Sequence, residues 1–323
     1  MIEELRNRVI RGYMVDKTDA MKLIDAPLDE LLAASNEIRE KMCGNEFDMC
    51  TIVNGKCGKC SEDCKYCAQS AFYHTSCTDS YPLLDTVAIV KEAKRNDERG
   101  VYRFSIVTSG RKLSDGEVDK VCESIREIKK QTNIEVCVSF GLLEEEQFRK
   151  IKEAGASRVH CNLESSRRFF PEICTTHTYD EKIETLKSAK RAGLSICSGG
   201  IIGLGENMED RIDMVMTARE LGVKSVPVNI LNPIPGTPFE NNKIIRNDEL
   251  CRIVAIYRFI IPDGNIRLAG GRGLVGDQGA KCFSSGANAA ISGDMLTTAG
   301  ITVETDKALL TDLGFKLKIN KRA

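Results

Sequence analysis

The chain reads as an α/β protein folded into a (β/α)8 TIM-type barrel with an N-terminal helical extension. Three observations predict this. Short apolar segments alternate with amphipathic helices from about residue 50 onward. Gly155, Gly193 and Gly222 each close a helical pattern just before the next apolar segment, as glycine C-caps do. A cysteine-rich loop follows the first of these segments, at the carboxyl end of a strand, where barrels carry their chemistry. A doubly wound open sheet is the alternative arrangement of the same units.

Taken in order, the first forty or so residues are mostly helical. Asp25 is placed to cap a segment reaching Met42, with Pro27 tolerated in its first turn. Leu31, Ile38 and Met42 recur there at helical spacing, and Leu32 widens the apolar face. Strands are expected at 50–54, 101–108, 134–140, 157–163, 195–202, 225–231, 265–269 and 288–292. Helices are expected at 86–96, 115–131, 144–154, 179–192, 208–221 and 248–261. The tail reads as a helix over 307–313 and then a basic, frayed end. No low-complexity linker interrupts the chain. The expected organisation is therefore a helical extension over 1–45, a barrel over 46–305, and a C-terminal helix and tail over 306–323.

The 323 residues carry a formal net charge of -1, so no whole-protein field argues for nucleic acid or an anionic membrane. The opening Met1-Ile-Glu-Glu-Leu-Arg6 lacks the apolar core of a signal peptide, and no apolar run is long enough to span a bilayer. A soluble, cytoplasmic protein is expected. Cysteine is the compositional outlier, with 14 in the chain. Their uneven clustering and the absent signal favour reduced and metal-bound thiols over disulfides. Cys43, Cys122, Cys174, Cys251 and Cys282 stand singly and read as small core residues without a role. So many free thiols suit an anaerobic cell.

The chemistry lies in Cys60-Ser-Glu-Asp-Cys64-Lys-Tyr-Cys67. Three thiolates can hold three irons of a cubane [4Fe-4S] cluster, and the remaining iron then lacks a protein ligand. An open metal position is a place for substrate. The competing reading is structural zinc, with Cys57 as a fourth ligand. Zinc sites prefer paired CxxC knuckles, however, and a large barrel core hardly needs a metal staple.

This CxxxCxYC pattern resembles the signature of the radical S-adenosylmethionine enzymes. The resemblance implies that the cosubstrate's methionyl amine and carboxylate chelate the open iron, and that Tyr66 lies beside the adenine. It then narrows to the biotin synthase family. The carriers are Asn162-Leu163-Glu164, the run from Cys197 to Glu206, Val226–Ile230, Gly236-Thr237-Pro238, Arg267–Arg272 and Gly286-Ala287-Asn288. Members are barrels that insert sulfur into dethiobiotin, consuming two molecules of S-adenosylmethionine and drawing sulfur from an auxiliary iron–sulfur cluster. By this resemblance Asn162 and Glu164 bind ribose hydroxyls, and Asn162 also helps place the substrate. Gly199 and Gly200 let backbone approach the methionyl group, Ile201 or Ile202 faces the adenine, and Asn229 meets the ureido ring of dethiobiotin. A flavodoxin or ferredoxin is the implied reductant, since no flavin or nicotinamide fingerprint is present, and the family is usually homodimeric. The rival readings are another radical enzyme on the same barrel, lipoyl-synthase-like or hydrogenase-maturase-like, and a non-catalytic metal-binding protein. Lipoyl synthases carry a second CxxxxCxxxxxC triplet that this chain lacks.

One part of the pattern departs. The family's auxiliary two-iron cluster is held by three cysteines and an arginine, and Cys137, Cys197 and Arg267 match three of these positions. The fourth, the end of an Arg-Phe-Cys triplet, here reads Arg103-Phe104-Ser105. A serine oxygen is a hard, poor substitute for thiolate on iron. Cys57 and Cys161 stand where relatives usually have other residues. Cys57 is expected to fill the vacancy, from a strand beside Ser105. Cys161 ranks lower because its parity opposes that of Asn162. Cys50 and Cys77 rank lower still, as unliganded thiols. The expectation is an auxiliary cluster, [2Fe-2S] or larger, with altered ligands.

Overall fold

The computed structural model describes residues 1–75 and 79–320. It opens with helices α1 (Ile2–Ile10), α2 (Lys17–Lys22) and α3 (Leu28–Cys43). Helix α3 starts later than the Asp25 cap implies, because Pro27 takes the N-cap position with extended ψ of 126°. The residue before a proline is kept out of helical geometry, so Asp25 and Ala26 finish the turn after α2 instead. Leu31, Leu32, Ala34 and Ile38 form the buried face of α3, which lies against the later helix Asn247–Ile260.

The remaining elements alternate as expected. They are β1 (Glu46–Lys56), α4 (Thr86–Glu98), β2 (Arg103–Thr108), α5 (Asp115–Gln131), β3 (Glu135–Ser139), α6 (Glu145–Ala154), β4 (Arg158–His160) and α7 (Tyr179–Arg191). There follow β5 (Ser195–Cys197), β6 (Gly200–Ile202), α8 (Met208–Glu220), β7 (Ser225–Ile230), α9 (Asn247–Ile260) and β8 (Asn265–Leu268). The chain finishes with α10 (Ala280–Phe283), β9 (Ala289–Ile291), α11 (Val303–Asp312) and β10 (Lys316–Leu317). Reciprocal capping boxes start α5 (Ser114 with Glu117), α7 (Thr178 with Glu181) and α8 (Asn207 with Asp210). Gly155, Gly193 and Gly222 all adopt positive φ just past their helices.

The strands form one parallel path, β5-β4-β3-β2-β1-β9-β8-β7-β6. Its two ends are consecutive pieces of the same run of chain, and this closes the ring. Ser198 N donates to Ser225 O on β7 at 3.1 Å, while Ile201 N donates to Glu164 O just beyond β4 at 2.9 Å. The single strand expected over 195–202 is thus split at Ser198-Gly199, where the chain changes partners. Glycine is required here by crowding, since a Cβ on Gly199 would lie 2.0 Å from Pro227 O, and one on Gly200 would lie 2.3 Å from Glu164 O.

The outward faces of the strands bury Phe104, Ile106, Val136 and Val138 against the helical layer. The inward faces carry polar and sulfur side chains around a cavity. The tail is also more ordered than its sequence suggests. Thr302 caps α11 at Val303 rather than Lys307, Lys316 pairs with Glu46 of β1, and Asn320 Nδ2 donates to Tyr102 O at 2.9 Å. No helix among the described residues is long and apolar enough to cross a membrane.

Candidate cluster and cofactor site

Strand β1 shifts register between Asn54 and Lys56, and the chain then turns through Gly58 (φ 74°) and Lys59 (φ 49°). The cysteine loop is held by its own backbone: Cys60 N donates to Gln69 O, Cys67 N to Cys64 O, and Ala71 N to Cys60 O, each at 2.9 Å. Cys60, Cys64 and Cys67 are all half-buried on the wall of a cavity of about 410 Å³ inside the ring. Burial pushes the Cys67 thiol up to about 11. Cys64 is raised further, first by its hydrogen bond with Cys174 and then by burial. Coordinated iron would supply the cation that favours the thiolate form here.

Next to the triplet, Tyr66 Oη donates to Glu164 Oε1 at 3.0 Å. Glu164 takes a positive φ of 68°, unusual for a side chain of this size, and its Oε2 is buried with no partner. Asn162 Oδ1 accepts from Gly199 N at 3.1 Å, leaving its Nδ2 toward the cavity that Asn162 lines. Asn229 spans two strands, with Nδ2 on Gly200 O and Oδ1 on Gly270 N, both at 3.0 Å. One amide hydrogen and one lone pair remain. Ile201, in register with Asn229, shares the cavity wall, whereas Ile202 does not. Of the two isoleucines expected to offer an apolar face, Ile201 is the one on the wall, by strand parity. Gly199 and Gly200 lie behind the wall, packed on neighbouring backbone. Lys182 of α7 also lines the cavity. It is buried beside Cys161, Glu164 and Cys64, with no carboxylate in ion-pairing distance among the described residues.

Deeper in the ring lies a second sulfur-rich group. Cys137, Cys197 and Arg267 line the same cavity together with Cys50, Arg103, Ser105 and Arg158. Ser105 is the register partner of Cys137, and Cys50 that of Arg103. Asp48 anchors the arginines: Oδ1 accepts from Arg267 Nη2 at 2.5 Å, and Oδ2 from Arg103 Nε at 3.0 Å. Arg267 Nη1 also donates to Asp48 O and Ala290 O, at 2.9 and 2.7 Å. Burial opposes the Cys197 thiolate, but a His160 hydrogen bond and the charges of Arg158 and Arg267 bring it down to about 7. Cys50 and Cys137 are held up by burial, and each feels the other elements of this group. Arg103, Arg158 and Arg267 converge around Asp48, with Glu135 4.0 Å from Arg103 at the edge of the group, an arrangement suited to several thiolates.

Residues 56–245 match the Radical SAM superfamily, and residues 227–316 match the Biotin and Thiamin Synthesis associated domain. The biotin synthase of Brachyspira hyodysenteriae is 55% identical over 320 residues, covering 99% of this chain and 96% of that protein. The biotin synthase of Akkermansia muciniphila is 53% identical over 319 residues, covering 99% of each. The chain belongs to the biotin synthase family. Among solved structures, methylornithine synthase is similar in fold (TM-score 0.82, 19% identity, 98% of each chain), as is the FeFe-hydrogenase maturase HydG from Carboxydothermus hydrogenoformans (TM-score 0.82, 17% identity, 98% of this chain and 79% of that one). Radical enzymes of this superfamily carry a [4Fe-4S] cluster and S-adenosylmethionine. The orphaned Glu164 oxygen, the unpaired Lys182 and the three convergent thiols are a donor set that fits both.

Against the expectations for a biotin synthase, the main displacement is Cys57. Cys57 stands seven residues past Cys50, an odd separation that alternation assigns to the opposite face, and it bridges to Tyr81 backbone, with N–O distances of 3.2 and 3.1 Å. It is buried but absent from the cavity wall. Cys50, ranked low from sequence, lies before the shift and faces inward. A signal was available: Asp48 and Cys50 share parity, and a charged residue between apolar Phe47 and Met49 marks the interior face. Cys161 reaches the wall because β4 ends at His160, so strict alternation lapses. Its charged neighbours are Lys182 and Glu164, on the cofactor side rather than the deep group. Cys77 lies outside the described residues. Lys182 gave no signal, since a lysine in a helix reads as surface.

The buried Asp48 yields a stability prediction. Burial disfavours its charge, but Arg267 and Arg103 outweigh that and hold its carboxyl well below the usual aspartate range. Its stabilisation is therefore complete at neutral pH and fades as acid protonates it. Asp48→Asn leaves buried Arg267 without a carboxylate and Arg103 with only Glu135 at 4.0 Å, and should cost about 3–5 kcal/mol. Urea unfolding of the cluster-free protein at neutral pH measures this; a loss below about 1 kcal/mol, as for a surface pair, contradicts it.

Proposed function

We propose that this enzyme makes biotin, inserting one sulfur between two unactivated carbons of dethiobiotin. The observation that carries the proposal is one cavity that joins the open-cornered triplet to a second thiol–arginine group. When bound, the triplet's cluster and S-adenosylmethionine supply a 5′-deoxyadenosyl radical, and the auxiliary cluster supplies sulfur.

The chain's residues hold, orient and enclose these partners. Cys60, Cys64 and Cys67 ligate the [4Fe-4S] cluster. Lys182 offers the methionyl carboxylate an otherwise unpaired cation, and Ile201 offers adenine an apolar face. Tyr66 positions Glu164, whose free oxygen takes a ribose hydroxyl, and Asn162 donates beside it. Asn229 turns its spare amide hydrogen and lone pair to the ureido ring. Met295–Thr298 complete the cavity wall beside these groups. For the auxiliary cluster, the ligand set we favour is Cys50, Cys137 and Cys197 with Arg267, in place of a set including Cys57. Ser105, level with Cys137, has no thiolate to give. A third thiolate from β1 instead of β2 changes the shape of the site, which supports a cluster other than the usual two-iron unit. The reading includes a flavodoxin or ferredoxin donor, a homodimer and a cytoplasmic setting, by analogy with the family.

Anaerobically reconstituted protein, given dethiobiotin, S-adenosylmethionine and a reductant, should form biotin detectable by mass. Cleavage of S-adenosylmethionine without biotin would redirect the assignment to another radical enzyme. A narrower test is Glu164→Gln. Losing a charged hydrogen bond to ribose, about 1.5–3 kcal/mol, should raise KM for S-adenosylmethionine about 10–100-fold. An unchanged KM removes Glu164 from the ribose contact.

A further inference from the structure

Beside the triplet stands a side-chain cluster that the reaction does not use. Cys174 and His177 lie in the segment before α7, and their ligand atoms and that of Cys64 all fall within 4.8 Å of one another. His177 Nδ1 is 2.5 Å from Glu62 Oε2 and 3.3 Å from Cys174 Sγ. Nδ1 therefore faces both the carboxylate and the Cys174 sulfur, and the ring's other nitrogen is Nε2. That Nε2 is buried and has no partner.

The segment is clamped to the cysteine loop. Asp63 Oδ1 accepts from Thr175 N at 2.8 Å and Thr176 N at 3.2 Å, and Thr175 Oγ1 donates to Asp63 Oδ2 at 2.5 Å. Lys65 N donates to Ile173 O at 3.0 Å, and Arg111 Nη1 to Thr176 O at 2.6 Å. Cys174 and His177 are thus preorganised against Cys64.

Two thiols and an imidazole, with the Glu62 carboxylate beside the nitrogen that faces the sulfurs, make a donor set for a divalent cation of the zinc type. We infer that Cys64, Cys174 and His177 form a second site, which takes one such cation, with an open fourth position, only when the [4Fe-4S] cluster is absent. Cys64 belongs to both donor sets, so the two occupancies exclude each other. The site goes beyond the reaction proposed above and does not depend on which substrate is converted.

The test uses the full chain, stripped of clusters by chelation and kept reduced and anaerobic, with Zn(II) or Co(II) as probe. One equivalent should bind, and zinc X-ray absorption should show two sulfurs with imidazole. Cys174→Ala or His177→Ala should abolish this binding, Cys60→Ala should retain it, and Glu62→Gln should weaken it by about 10–100-fold. The cluster-loaded protein should bind no zinc there. The absorption spectrum needs no variant, so misfolding of a mutant leaves the test intact. A three-sulfur shell, binding that depends on Cys60 and Cys67 rather than Cys174, no binding at all, or zinc bound by these residues beside an intact cluster overturns the inference.

Discussion

Cys50→Ala should abolish biotin formation while leaving reductive cleavage of S-adenosylmethionine in place. Cys50 lines the deep part of the cavity with Cys137, Cys197 and Arg267, and its thiol is sensitive to the charges of Cys137, Arg267 and Arg103. The triplet hangs on a separate loop beyond the register shift of β1, so its cluster should assemble without Cys50. Mössbauer spectra should keep the triplet's [4Fe-4S] signal and lose the auxiliary one. Cys57→Ser is the matched control, since that side chain is buried away from the wall. It should preserve both signals and product. If instead Cys57→Ser erases the auxiliary signal and Cys50→Ala keeps it, the ligand set proposed here is wrong.

Cys67→Ala should have the larger effect on iron and the broader effect on chemistry. Two thiolates cannot retain a cubane that needs three, so iron should fall by that whole cluster. Neither 5′-deoxyadenosine nor biotin should form. The deep group has its own ligands and should still load, which separates this outcome from general misfolding. Continued cleavage of S-adenosylmethionine by this variant would mean that the open corner lies elsewhere.

The two variants probe residues of very different legibility. The triplet was plain in the sequence because its spacing is short and its loop is local. The helices of the barrel were legible for a similar reason: capping boxes such as Thr178 with Glu181, and glycines such as Gly155, act within a turn of the chain. Cys50 and Cys57 were harder. Each is a cysteine near β1 outside the triplet, and only the odd separation of seven residues between them tells which of the two faces inward. Strand parity, extended past its last regular residue, likewise misplaced Cys161.

Composition and period-two or 3.6-residue patterning settled the order of strands and helices and the thiols on the first loop. Those features depend on neighbours along the chain. Closure of the ring decided the rest. It brought Glu62 to His177 across 115 residues, turned Lys182 inward from a helix, and put Asp48 between two arginines from different strands. Such meetings depend on twist, register and bulges accumulated around eight staves, and no short window of sequence carries that sum.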